Sequence, residues 1–64
     1  LLSARETEVA LLVAQGGLTT AAVAERLFIS PRTVTTHLER IYRRLGVANR
    51  AALTRYVIEN LGNT

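Results

Sequence analysis

The 64-residue sequence has no cysteine, no methionine, no lysine and no aspartate, and its single histidine is His37. Without cysteine there are no disulfides, and one histidine is too few for a zinc site of the usual Cys/His kind. The acids are five scattered glutamates, and neither a nucleophile–base pair nor a metal-ligand cluster assembles from them. We therefore expect no enzyme, no metal and no cofactor. No apolar run approaches the ~20 residues of a membrane span, and no basic-then-apolar leader opens the chain. A soluble, cytoplasmic domain without a membrane partner is the expectation. The absence of methionine, with Leu1 first, suggests a domain excised from a longer protein.

What remains is aliphatic. A chain of this length makes one domain at most and buries only ~60% of its unfolded surface, so Leu, Ile and Val must supply the core. The charge is unevenly spread. Residues 1–30 carry a net −1, whereas residues 31–50 carry Arg32, Arg40, Arg43, Arg44 and Arg50 against Glu39, a net +4. A concentrated basic face points to a polyanion, most commonly nucleic acid. A merely solvated arginine face is the alternative.

Local signals predict four helices. Ser3-Ala4-Arg5-Glu6 is a capping box, followed by Val9, Leu12 and Val13 at helical spacing with Leu11 facing away. Gly16-Gly17 should end this helix after Gln15 in left-handed conformations. Thr19-Thr20 offers a cap for a second helix through about Leu27, with Val23, Ala24 and Leu27 inward. Ser30 caps a third helix that has Pro31 at its first position, where the missing N–H costs nothing. That helix should run to Leu45 and stop at Gly46. Ala48-Asn49 caps a fourth from Arg50 to about Leu61, before Gly62. There is no strand pattern, and the fold class is all-α.

At about 100° per residue, Val34, Leu38, Ile41 and Leu45 make one stripe of the third helix. The opposite side carries Arg32, Thr36, Glu39, Arg40 and Arg43, flanked by Thr35 and Arg44, with His37 and Tyr42 bordering the core. The positive end of the helix dipole lies beside Thr33, Thr35 and Thr36. Short hydroxyls bring a surface close, and long arginines reach around to phosphates. Such a helix fits the major groove of double-stranded DNA. Glu39 has two readings, an acceptor for a cytosine N4 amino group or the i,i+4 partner of Arg43. His37 reads as a border residue hydrogen-bonded to the first helix, the fourth helix or a phosphate. On the fourth helix, Leu53, Tyr56, Val57 and Leu61 form the core stripe, while Ala51, Thr54 and Ile58 form a second, weakly apolar patch that suits a modest homodimer contact or simple exposure.

LSARETEV at 2–9, the glycine turn at 16–17, TTAAVAERLFIS at 19–30, PRTVTTHL at 31–38 and RRLGVANRAAL at 43–53 together resemble the LuxR-type (GerE-like) helix-turn-helix domain over nearly the whole chain. The resemblance implies a four-helix domain spanning residues 1–64, with the helix-turn-helix at about 20–39 and the third helix in the major groove. It implies the output domain of a larger transcriptional regulator, acting as a homodimer on DNA through the fourth helix and in contact with RNA polymerase. The implied base-reading positions are Thr35, Thr36 and Glu39. Thr20, Arg32, Thr33 and Arg40 match positions near phosphates, His37 matches the family's recurrent histidine, and Arg43 and Arg44 are further backbone contacts. Arg50 contacts the backbone too or is a structural partner for Glu6. Ala21 and Ala22 stand where the family often has Lys and Glu, and Thr35 replaces a frequent Lys or Glu. Phe28 occupies a place where many helix-turn-helix proteins have Gly, and we expect it to be a packing anchor rather than a left-handed turn residue. Two other readings are a sigma-factor region-4-like promoter-binding domain and a helical protein-interaction module.

Overall fold

The computed structural model describes residues 2–60. It contains α1 (Ala4–Ala14), α2 (Thr20–Leu27), α3 (Pro31–Leu45) and α4 (Arg50–Asn60), with no strand among the described residues. Every helix starts at a side-chain cap. The Ser3 hydroxyl accepts from the Glu6 N–H at 3.1 Å while the Ser3 N–H donates to Glu6 Oε1 at 3.0 Å. Thr19 accepts from the Ala22 N–H at 3.1 Å, Ser30 from the Thr33 N–H at 3.1 Å and Asn49 from the Ala52 N–H at 2.9 Å. Each bond satisfies a helix-end donor that has no intrahelical partner. Pro31 fills the first position of α3, as expected.

The helix ends are less uniform. Gly46 closes α3 at φ +69°, but the two glycines after α1 differ from each other. Gly17 is left-handed, at φ +61°. Gly16 is not; a Cβ there would lie 2.8 Å from the Leu12 carbonyl oxygen, so it is close approach that demands glycine.

Phe28 departs further from expectation. It is the left-handed residue that ends α2, at φ 59° and ψ 42°, and it is 94% exposed, so it is no packing anchor. The cause lies one residue on. A left-handed residue lets the Ile29 N–H turn back onto the Ala24 carbonyl at 3.0 Å, the closure common at helix ends, and sends Ile29 rather than Phe28 toward the core. An aromatic residue here carries strain on the order of 1–2 kcal/mol.

The core is Val9, Ala10 and Val13 of α1, Val23 and Ala24 of α2, Val34, Leu38 and Ile41 of α3, and Leu53 and Val57 of α4. α1 packs against all three other helices, and α2 against α3. The buried face of α1 is Glu6, Val9, Ala10 and Val13, an i, i+3, i+4, i+7 series. Leu12 lies at its edge instead of its centre, and Leu11 is half-buried against the core where the sequence suggested it faced away. Leu61 and Gly62, assigned above to the end of the fourth helix, lie outside the described residues.

Candidate nucleic-acid interface

With Val34, Leu38 and Ile41 turned inward, α3 exposes Arg32, Thr33, Thr35, Thr36, Glu39, Arg40, Arg43 and Arg44. The hydroxyls are already engaged locally. Thr35 donates to the Pro31 carbonyl at 3.2 Å and Thr36 to the Arg32 carbonyl at 3.1 Å. Their protons are thereby directed into the helix, so each side chain turns oxygen lone pairs and a γ-methyl to its surroundings. Thr33 shares a 2.9 Å hydroxyl–hydroxyl contact with Ser30. Thr20, the first residue of α2, is half-buried.

Glu39 makes no ion pair among the described residues, so the i,i+4 pair with Arg43 is not formed. An exposed carboxylate without a partner is a free acceptor within a basic face. Arg40, Arg43 and Arg44 supply the cations, the last two in the final turn of α3, where the helix dipole favours them.

Arg44 has a second task. Its guanidinium lies 3.4 Å from the Glu6 carboxylate, with the Arg44 side chain 52% exposed and that of Glu6 5% exposed. The Ser3 backbone N–H, above all, holds the Glu6 carboxyl below its ordinary value; burial opposes this, and the charge of Arg44, the Ser3 hydroxyl and the charge of His37 add to the lowering. The partner expected for Glu6 was Arg50. Arg50 instead donates to the Leu18 carbonyl, since the start of α4 faces the α1–α2 connection while Glu6 points at the last turn of α3. His37 is half-buried, and its Nδ1 is buried without a hydrogen-bond partner. Of the three partners expected for His37, the first helix and the fourth helix receive no hydrogen bond from this buried nitrogen, and a phosphate remains.

On α4, Ala51 and Ile58 are exposed, Ile58 by 57%. Thr54 between them is half-buried, and its hydroxyl donates to the Arg50 carbonyl at 3.1 Å. The patch therefore presents apolar atoms with its one hydroxyl satisfied. Two features escaped sequence reasoning, the Glu6–Arg44 pair and the outward Phe28. The first spans the whole motif and has no local signature; for the second, the glycine usual at that position was the available signal.

No group of His, Cys, Asp and Glu among the described residues could hold a metal ion, and no helix among them is long and apolar enough to cross a membrane. A family model described as GerE, bacterial regulatory proteins, luxR family, matches residues 1–57. An HTH-type transcriptional regulator of Mycobacterium bovis is 48% identical over 52 residues, covering 81% of this chain and 6% of its own length. A transcriptional regulatory protein of Mycobacterium tuberculosis, NarL, is 49% identical over 51 residues, covering 80% of this chain and 23% of its own. The chain thus spans a small fraction of these relatives. No solved structure matches it at comparable significance.

Proposed function

The chain belongs to the luxR family of bacterial regulatory proteins, and from that premise we propose that α3 enters the major groove of double-stranded DNA and reads its sequence with Thr35, Thr36 and Glu39. A DNA-binding, non-enzymatic role in regulation comes with the family. The observation that carries the finer reading is the exposed face of α3, where outward hydroxyl oxygens and an unpaired carboxylate lie among arginines. The 15 residues of α3 extend roughly 22 Å, enough to lie along a groove about 12 Å wide.

Within this reading the γ-methyl of Thr36 or Thr35 meets a thymine methyl or a base edge, and Glu39 accepts from a cytosine amino group. Thr20, Arg32, Thr33, His37 and Arg40 hold phosphates, as do Arg43 and the exposed half of Arg44. These contacts set register, whereas the base contacts set sequence. Two copies meet through Ala51, Thr54 and Ile58, matching a site with two-fold symmetry. The domain, residues 1–64, serves as the output end of a larger transcriptional regulator and comes within reach of RNA polymerase. The family match over 57 residues favours this reading over a sigma-factor region-4-like domain.

Selection of bound duplexes from a random pool tests it. Enrichment of one short motif, repeated with two-fold symmetry, is the expected result. A pool that stays random would overturn sequence reading and leave the protein-interaction module in its place.

A further inference from the structure

We infer that the face formed by α1 and the end of α2 is a second self-contact surface, in which Phe28 of one copy seats in the α1–α2 groove of another and the exchange is reciprocal. The groove measures about 290 Å³ and is lined by Glu8, Leu11 and Leu12 from α1 and by Arg26 and Leu27 from α2. It lies just below the roughly 300–1,000 Å³ of small-molecule pockets and suits one aromatic ring. Phe28 follows Leu27 directly, so protrusion and recess adjoin on one molecule. The protrusion is unfavourable in the monomer because it leaves an aromatic ring 94% in water.

The charges at the groove identify the occupant as a second copy. Its two walls carry opposite signs, Glu8 on α1 and Arg26 on α2. A two-fold axis between two such grooves sets Glu8 of one copy against Arg26 of the other, twice over, which makes the surface complementary to itself. Glu8 also pairs with Arg5 at 3.6 Å, both side chains being about half exposed, and a pair so open to solvent exchanges at little cost. Arg26 has no partner among the described residues. Two rings, each removing roughly 150–250 Å² from water, and their rims stay short of the ~1,200 Å² of a stable interface. The contact is therefore weak in free solution and significant where copies are held side by side. It uses none of the residues of the α4 patch, so one copy can make both contacts at once.

The test needs no DNA and so stands or falls apart from the proposed groove reading. In the Ile58→Asp protein, which removes the α4 contact, amide shifts should move with concentration up to about 1 mM, centred on Leu11, Leu12, Leu27 and Phe28. Phe28→Ala should weaken this association about tenfold or more. Glu8→Arg and Arg26→Glu should each weaken it several-fold, and the two together should restore it to within about twofold. Phe28 is almost wholly exposed, so its replacement leaves the fold intact. Concentration-independent shifts, an undiminished association in Phe28→Ala, or losses from the two charge reversals that add rather than cancel would each overturn the inference; the last would point to some other partner for this groove.

Discussion

Glu6 in α1 and Arg44 in α3 lie 3.4 Å apart, and this pair ties the first turn of α1 to the basic end of the helix proposed to enter DNA. The same carboxylate closes the capping box on Ser3, so one buried group fixes both the start of α1 and the seating of α3 on it. Because the folded carboxyl titrates below its ordinary value, its contribution is complete above the unfolded pKa of about 4.3 and is lost as pH falls through the lower folded value. Glu6→Gln should lower the melting temperature at neutral pH and flatten its dependence on pH below about 4.3. Thermal melts from neutral pH down to about pH 3 measure both; a variant that kept the parental acid limb would show that Glu6 is not the linked group.

Phe28 makes a prediction of the opposite sign. Phe28→Gly removes the left-handed penalty and loses no buried surface, since the ring is in water. Stability should rise by about 1 kcal/mol, or roughly 4–8 °C in a domain of this size. Phe28→Ala keeps a Cβ in the same backbone conformation and should change the melting temperature little. Destabilisation by the glycine would mean that the ring packs on the monomer after all.

The cations of α3 should act on all DNA alike. Arg40→Ala and Arg43→Ala should each weaken binding to enriched and random duplexes by similar factors and reduce the slope of log K against log salt by about 1 unit at most. Titrations at several salt concentrations read the slope, and unchanged slopes would remove both residues from the phosphate contacts.

The sequence made the local part of this structure legible. Ser3, Thr19, Ser30 and Asn49 each bond a backbone N–H three residues away, and such contacts depend on residue type and short spacing alone. The inward stripe of α3 was legible for a similar reason, because Val34, Leu38 and Ile41 repeat at helical period and all three are buried. Contacts between helices were not. Which arginine meets Glu6 depends on how α1 crosses α3 and α4, and the family resemblance offered Arg50 where the packing of α1 on α3 brings Arg44. Phe28 misled because a non-glycine residue seldom takes a left-handed conformation, while the turn into α3 required one at that place and an inward residue at Ile29. On the candidate site, the outer face of α3 was foreseen as a set of exposed side chains. That Glu39 stands apart from Arg43 became visible only with side chains in place.

Direct reading of base pairs by this face turns on Glu39, the one acid of α3 on a basic surface. Binding of Glu39→Ala and the parent protein should be compared on the enriched duplex and on every single-base-pair variant of it. Discrimination should collapse by about 1–3 kcal/mol at one C·G position of each half-site and persist at the others. A uniform change in affinity across all variants, with discrimination retained at every position, would contradict direct readout by α3.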